Sequence, residues 1–187
     1  IKISNALRKI GIDKRRKLFA DVLNTFGGEL TMIICGGAAL NQDIIDFFDA
    51  IGITILNGYG ITECAPLISC NRNELQYSGS VGIPIIGEEV KIKDPDENGE
   101  GEICVKGPNV MLGYFEDPEA TAAVFDEEGF FRTGDYGRIE EVDGDKWIYI
   151  TGRLKNLIIF SNGKNVYPEE IETELSRIRG VLEVVVY

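Results

Sequence analysis

The chain has 187 residues, of which 44% are hydrophobic, enough to form the core of a globular protein. Its 19 basic and 31 acidic residues give a formal net charge of −12, and the resulting field disfavours nucleic acid as a partner. The sequence has four cysteines, no Cys-X-X-Cys pair and no histidine, which argues against a zinc site and excludes Ser-His and Cys-His nucleophiles within this chain. The cysteines predict small, reduced, apolar side chains in a cytoplasmic protein.

Basic residues are concentrated near the start of the chain, beside apolar positions that are predicted to share one helical face. A solvated helix on a larger enzyme would fit this pattern, and so would weak peripheral contact with the anionic inner face of a membrane. No apolar run is long enough to span a bilayer. The basic residues are Lys2, Arg8, Lys9, Lys14, Arg15, Arg16 and Lys17, and the apolar ones are Leu18, Phe19, Val22, Leu23 and Phe26.

The next segment predicts a strand, a helix and a second strand. Residues 31–35 and 53–56 are short apolar runs suited to buried strands. Between them, Asn41 is a suitable N-cap and Gly52 a suitable end for a helix with an apolar face. A parallel βαβ unit with a right-handed crossover would bring residues 36–38 and 57–63 to the carboxyl edge of one sheet, where ligands of open α/β sheets bind. The apolar face consists of Ile44, Ile45, Phe47, Phe48 and Ile51.

From about Gln76 the pattern changes to short alternating strands joined by glycine turns. Asn98-Gly99 predicts a hairpin between strands at 90–93 and 102–106, and Asp143-Gly144 predicts another between strands at 138–142 and 146–150. Such strands predict a small barrel or sandwich. The prolines of this region are expected in its connections. They are Pro84, Pro95, Pro108 and Pro118.

The last part of the chain predicts a hairpin turning at Asn162-Gly163, a helix beginning at Pro168 and a strand over 181–187. The fold class is therefore α/β plus β, in three regions. We expect the C-terminal part of an α/β nucleotide-binding core, then a distorted β-barrel-like subdomain, and finally the truncated start of a small, mobile α+β domain. These regions are residues 1–75, 76–151 and 152–187. Because the chain begins at Ile1 and stops in a predicted strand, we expect it to be a fragment.

The segment Asn57–Glu63, with the sequence Asn-Gly-Tyr-Gly-Ile-Thr-Glu, carries groups that a bound nucleotide needs. Glycines in a tight turn let backbone N–H groups approach a phosphate. Tyr59 can lie against a purine, Thr62 can donate to a phosphate oxygen, and Glu63 can bind Mg²⁺ through oxygen. An isolated match of this kind would equally fit an ordinary strand-to-turn corner.

Two later segments add further groups. Asp135 follows a predicted glycine turn in the segment 129–135, where its carboxylate could grip two ribose hydroxyls. Arg153 opens a third polar segment, residues 152–172. Taken alone, Asp135 could close an Asx-turn and Arg153 could form a surface ion pair.

In their order and spacing, these three segments resemble the adenylate-forming superfamily, and within it the acyl-CoA synthetases, most closely the long-chain fatty-acid type. Weaker similarity covers residues 31–40 and 101–107. The resemblance implies that a carboxylic acid attacks the α-phosphate of ATP in the presence of Mg²⁺. Acyl-AMP and pyrophosphate are formed, and coenzyme A then takes the acyl group as a thioester.

The resemblance also implies roles for individual residues. Asp135 and Arg153 would hold the ribose, Lys155 would be the hinge of the small domain, and Gly163 would lie in a loop that approaches the pantetheine. Glu63 would bind the metal and, with Thr62, act in catalysis. The implied nucleotide-binding residues are Gly36, Gly37 and Ala38, beside the adenine and acyl pocket, then Asn57, Gly58, Gly60, Thr62, and Tyr59 stacked on adenine.

The family's phosphate loop is expected before this chain, and its catalytic lysine after it. The chain alone is therefore expected to be inactive. Two other interpretations stay open: an adenylating domain that loads an acyl carrier protein, and a non-catalytic nucleotide-binding or structural module. The sequence does not predict acyl chain length or oligomeric state.

Overall fold

The structure is a computed structural model, which describes residues 2–38, 40–73, 75–159, 165–176 and 178–187. Its helices are α1 (Lys2–Lys9), α2 (Arg15–Leu18), α3 (Ala20–Thr25), α4 (Gln42–Ile51), α5 (Pro118–Val124) and α6 (Pro168–Ser176). Its strands are β1 (Met32–Cys35), β2 (Thr54–Gly60), β3 (Leu67–Cys70), β4 (Ile83–Pro84), β5 (Glu89–Lys93), β6 (Gly101–Lys106), β7 (Phe131–Val142), β8 (Asp145–Arg153), β9 (Ile158–Ile159) and β10 (Asn165–Val166). Short 3₁₀ turns occupy Thr62–Cys64 and Leu154–Asn156.

The first sheet has the strand order β1-β2-β3-β4. Strands β1 and β2 are parallel and α4 lies between them in sequence, which confirms the predicted βαβ unit. The side chain of Asn41 accepts the backbone N–H of Asp43 at 2.8 Å, and Gly52 ends the helix with φ 96°. Only part of the predicted apolar face is covered, because Ile44 and Phe47 are exposed.

The predicted glycine turn after residue 56 is wrong, because β2 continues through Gly60. The antiparallel partner β3 extends this strand, with Gly58 opposite Cys70 and Tyr59 opposite Ser69. A shift in register follows between Tyr59 and Gly60. The segment Asn57–Glu63, predicted to be a nucleotide-binding turn, is thus mainly strand, and only its last residues leave the sheet.

The second sheet is antiparallel, with the order β5-β6-β7-β8. Both predicted hairpins are confirmed: Gly99 has φ 77°, and Asp143 and Gly144 have φ 54° and 85°. In the hairpin of β7 and β8, positive φ at both central residues is the backbone of a type I′ turn, which suits the twist of a hairpin. This sheet is the small β subdomain that the sequence predicts.

One core joins the two sheets. Tyr59, Cys64 and Ile68 from the first sheet region pack with apolar side chains of the second sheet. Burial raises the pKa of the Cys64 thiol to about 12, so this cysteine stays neutral, as expected for an apolar core residue. The partners from the second sheet are Val90, Ile103, Val105, Phe131 and Ile148.

The N-terminal segment differs from the predicted single helix. The helices α2 and α3 are separated at Phe19, which has φ −115° and ψ 25°, and of the predicted apolar face only Leu23 is buried. Basic side chains tie these helices to the rest of the protein: Arg15 pairs with Asp49, and Arg16 donates to backbone carbonyls, one of them that of Leu30. Because Arg15 and Arg16 are engaged within the protein, the structure does not support the predicted contact with a membrane. None of the helices in the described part of the chain is both long and apolar enough to cross a bilayer.

The structure differs from two further predictions and confirms part of a third. Pro118 begins helix α5 rather than lying in a connection, and Asp117 caps that helix by accepting the N–H of Ala120. Residues 181–187 form no strand, because no neighbouring strand pairs with them in the described residues. The hairpin of β9 and β10 is confirmed by their antiparallel pairing, while its turn, Asn162-Gly163, lies outside the described residues.

Glu88 is a buried carboxylate whose removal we expect to stabilise the protein. It is 9% exposed, and neither of its side-chain oxygens has a well-formed hydrogen bond in the described structure. Burial raises its pKa above the usual 4.5, partly offset by the backbone N–H of Asn109. The folded state therefore holds this proton more tightly than the unfolded chain does. The stability present below about pH 4.5 is lost as the pH rises through the folded-state pKa.

We accordingly expect Glu88→Gln to raise the free energy of unfolding at pH 8 and to change it little at pH 4. Urea denaturation at both pH values measures this difference. The matched control is Glu89→Gln, at the exposed neighbouring position. Equal effects of the two variants at pH 8 would show that burial of Glu88 carries no penalty.

Candidate nucleotide-binding site

Three residues that the sequence singles out meet in the structure. The hydroxyl of Tyr59 donates to Oδ2 of Asp135 at 2.7 Å, and Nε of Arg153 lies 3.1 Å from Oδ1. Each comes from a different strand, β2, β7 and β8, and Asp135 and Arg153 are directly opposite in the ladder. Asp135 lies within β7 rather than after a turn, so the Asx-turn interpretation is wrong.

The electrostatics of Asp135 are set first by its burial, since the residue is only 4% exposed. Desolvation raises its pKa, the Tyr59 hydrogen bond and the Arg153 charge lower it, and the charges of Glu169 and Glu63 raise it. Burial, and then the adjacent Asp135 charge, raise the pKa of Tyr59 well above its usual value. The Tyr59 hydroxyl therefore keeps its proton and donates a hydrogen bond to this carboxylate.

The burial of Tyr59 limits how it can meet a purine. The residue is 6% exposed and belongs to the core shared by the two sheets. A stacked base needs an uncovered ring face, and little of this ring is uncovered. The role of Tyr59 in stacking stays a prediction.

Glu63 lies in the 3₁₀ turn that follows β2. Its carboxylate accepts the hydroxyl of Tyr114 at 3.1 Å, and its backbone carbonyl accepts the N–H of Met111 at 2.7 Å. Sequence analysis missed Tyr114, because no local pattern links it to a residue 51 positions earlier. Thr62 is exposed beside Glu63, as a phosphate donor would need to be.

The carboxylate of Glu63 fits a Mg²⁺ site in which water and substrate supply the other ligands. It does not fit a site enclosed by protein side chains alone. Among the described residues, no group of three or more carboxylate, thiol or imidazole side chains could hold a metal ion. Magnesium commonly uses one or two carboxylates together with water and substrate phosphates. The Glu63 carboxylate is suited to that arrangement.

The glycine segment after β1 meets β2, as the βαβ unit predicts. A Cβ atom on Gly36 would lie 2.9 Å from the carbonyl oxygen of Gly58. Gly37 has φ 87°, and Ala38 is exposed. Asn57 donates weakly to the carbonyl of Ser80, at 3.4 Å, so its amide faces the loop before β4.

The hinge predicted at Lys155 lies in the 3₁₀ turn directly after β8, and its side chain is exposed. On the far side of this turn, Asn156 donates to Glu169 of α6. The rings of Tyr136 and Tyr167 stack with centroids 5.3 Å apart. The segment beyond the turn thus packs against the second sheet in this structure. Gly163, predicted to approach coenzyme A, lies outside the described residues.

The chain is similar in sequence and in fold to known enzymes. A long-chain-fatty-acid–CoA ligase of Salmonella typhimurium is 47% identical over 139 residues, which cover 71% of this chain and 24% of that enzyme. A chloroplastic long-chain-fatty-acid–acyl-carrier-protein ligase of Arabidopsis thaliana is 39% identical over 168 residues, covering 82% and 23%. The chain thus spans about a quarter of the length of these curated relatives.

Among solved structures, the chain is similar to the o-succinylbenzoate–CoA synthetase of Bacillus subtilis in complex with its acyl-adenylate intermediate. The TM-score is 0.73 at 31% identity, and the similarity covers 87% of this chain and 35% of that enzyme. Residues 4–115, more than half of the chain, match the AMP-binding enzyme family. The chain therefore belongs to the family of AMP-binding enzymes.

Proposed function

We propose that the full-length gene product is an AMP-forming acid–thiol ligase that activates a fatty acid with ATP and transfers the acyl group to coenzyme A. The observation that carries this proposal is the buried Asp135 carboxylate, held between Tyr59 and Arg153. It occurs in a chain with 47% identity to a long-chain-fatty-acid–CoA ligase. That identity also supports a long-chain acid as the substrate.

In the first half-reaction, Asp135 accepts hydrogen bonds from the ribose, and Arg153 supplies positive charge beside it. Thr62 donates to a phosphate oxygen. Glu63 would hold Mg²⁺ through a carboxylate oxygen, and the ion would offset phosphate charge when bound. Such positioning and charge stabilisation is the main requirement of phosphoryl chemistry, which explains how the site can work without histidine. The glycine segment 36–38 and residues 57, 58 and 60 form the backbone wall of the nucleotide site in this proposal.

In the second half-reaction, the segment beyond Lys155 would rotate and bring the loop around Gly163 toward the pantetheine of coenzyme A. The 3₁₀ turn at Leu154–Asn156 is short and exposed at Lys155, as expected for a hinge that absorbs motion in a few residues. The packing of Tyr167 on Tyr136 would have to be released in that motion. The cytoplasmic location stays a prediction of the sequence.

A second candidate acceptor is an acyl carrier protein. The relative from Arabidopsis thaliana, which is named for that acceptor, is 39% identical and covers 82% of the chain. Both candidates share formation of the acyl-adenylate and differ only in the thiol that receives the acyl group.

We expect the full-length gene product to catalyse exchange of labelled pyrophosphate into ATP, dependent on a fatty acid. Short, medium and long acids are compared, first without a thiol acceptor and then with coenzyme A or a phosphopantetheinylated carrier protein. Thioester formation with coenzyme A alone supports the proposal, and formation with the carrier protein alone supports the second candidate. Absence of exchange with every acid would leave a non-catalytic nucleotide-binding module as the interpretation.

A further inference from the structure

Tyr59 and Arg153 contact the same carboxylate, but their side chains differ in how freely they can move. The Arg153 side chain is 66% exposed, so it can swing away from Asp135 without losing buried contacts. Tyr59 is 6% exposed, and its ring packs in the core with Cys64 and Ile68. Its hydroxyl therefore cannot leave Asp135 unless the core rearranges.

The remaining hydrogen-bond capacity of Asp135 suits a ligand with two adjacent hydroxyls. An ionised carboxylate has about four lone-pair positions on two oxygens. Tyr59 uses one on Oδ2, and Arg153 lies beside Oδ1 as an ion pair at 3.1 Å. Among the described residues, at least one acceptor position therefore remains on each oxygen, which matches a vicinal diol such as that of ribose.

The charge of Asp135 is not enough to hold its side chain in this orientation. Glu63 and Glu169 add negative charge near it, and burial disfavours its ionised form. A short hydrogen bond from a fixed donor opposes both effects, because it favours the ionised form and restrains the side-chain torsion.

We propose that Tyr59 is a positioning residue, whose hydroxyl fixes the Asp135 carboxylate so that it can accept both ribose hydroxyls of the nucleotide. This inference rests on the proposed function and assigns Tyr59 a role that does not depend on stacking. The ring of Tyr59 is held in the core and therefore fixes the position of its hydroxyl. The exposed side chain of Arg153 moves away to admit the sugar.

A purely structural role predicts different behaviour. If Tyr59 only filled the core, its replacement by phenylalanine would change stability and leave Asp135 and nucleotide recognition as they are. If it served mainly as a base-stacking ring, the same replacement would preserve ATP binding. Tyr59→Phe therefore separates the hydroxyl from both alternatives.

The first test is independent of catalysis. Carboxyl-carbon NMR follows the titration of Asp135 in the wild-type protein, in Tyr59→Phe and in Tyr136→Phe. We expect the Asp135 titration to move to higher pH in Tyr59→Phe, since a donor to the ionised form is lost. Tyr136→Phe is the matched control, because this tyrosine adjoins Asp135 in sequence but donates to the backbone carbonyl of Glu100 at 2.9 Å. An unmoved Asp135 titration in Tyr59→Phe would overturn the proposal.

The second test uses pyrophosphate exchange with ATP, 2′-deoxy-ATP and 3′-deoxy-ATP. In Tyr59→Phe we expect the KM for ATP to rise roughly tenfold with little change in kcat, as for loss of a hydrogen bond to a charged group that acts in binding. The increase in KM caused by removing either ribose hydroxyl should be smaller in Tyr59→Phe than in the wild-type protein. The reason is that the displaced carboxylate no longer accepts a hydrogen bond from that hydroxyl. Unchanged deoxy penalties would overturn the positioning role.

Failure of the proposed function and failure of the positioning role give different experimental results. If the wild-type protein shows no exchange, the proposed function fails, while the NMR titration still decides whether Tyr59 controls Asp135. If Tyr59→Phe does not fold, the wild-type protein is used. The Cζ resonance of Tyr59 should then titrate together with Asp135, and independent titrations would overturn the proposal.

Discussion

Gly60→Ala is expected to lower the free energy of unfolding by about 3 kcal/mol or more, at the upper end of the cost of overpacking. A Cβ atom at this position would lie 1.9 Å from the carbonyl oxygen of Pro66 and 2.9 Å from Cα of Leu67. Both contacts are with backbone, so no side-chain rotation can relieve them. The chain between β2 and β3 would have to move, and Glu63 lies within that connection.

The matched control is Gly58→Ala, two residues earlier in the same strand. Its added Cβ would lie 3.3 Å from the carbonyl oxygen of Ser69, a tight but tolerable contact. We expect it to cost clearly less stability in urea denaturation. If Gly60 were needed only for phosphate approach, both alanine variants would be similarly stable, and Gly60→Ala would instead raise the KM for ATP.

Asp135→Ala should cause the largest loss of activity among single changes at the site. In the proposed role of Asp135 the variant loses the acceptors for the ribose hydroxyls, and a hydrogen bond to a charged group contributes about 1.5–3 kcal/mol. We expect kcat/KM for ATP in pyrophosphate exchange to fall at least about tenfold and, if both bonds are lost in full, by more than a hundredfold. Stability should fall as well, by about 1–3 kcal/mol, because the buried Tyr59 hydroxyl is left without its acceptor.

Asp135→Asn separates these two losses. Its amide oxygen can still accept from Tyr59, so stability should recover more than activity, which needs the charge. Asp145→Asn is a control at the exposed ion pair with Arg72 and should change stability by no more than about 1 kcal/mol. Unchanged ATP dependence together with lowered stability in Asp135→Ala would mean that Asp135 is a fold element and not a nucleotide ligand.

Features that depend on the chemistry of neighbouring residues follow from the sequence. The cap at Asn41 and the left-handed Gly52 define helix α4 because each acts within one helical turn. The Asp143-Gly144 turn defines its hairpin because positive φ at both residues turns one strand back on the next, and Gly99 supplies positive φ in the connection between β5 and β6. The ordered motifs around Glu63, Asp135 and Arg153 also indicate the enzyme family, since their order and spacing are properties of the sequence.

Contacts between residues that lie far apart in the sequence depend on the tertiary structure. The bond between Tyr59 and Asp135 spans 76 positions, and that between Tyr114 and Glu63 spans 51, so no period or spacing could predict either. Pairing with β3 converts the expected glycine turn into strand, and the neighbouring Pro66 carbonyl sets the need for glycine at position 60. Residues 181–187 have the composition of a strand but form none, because a strand requires a partner and composition cannot supply one.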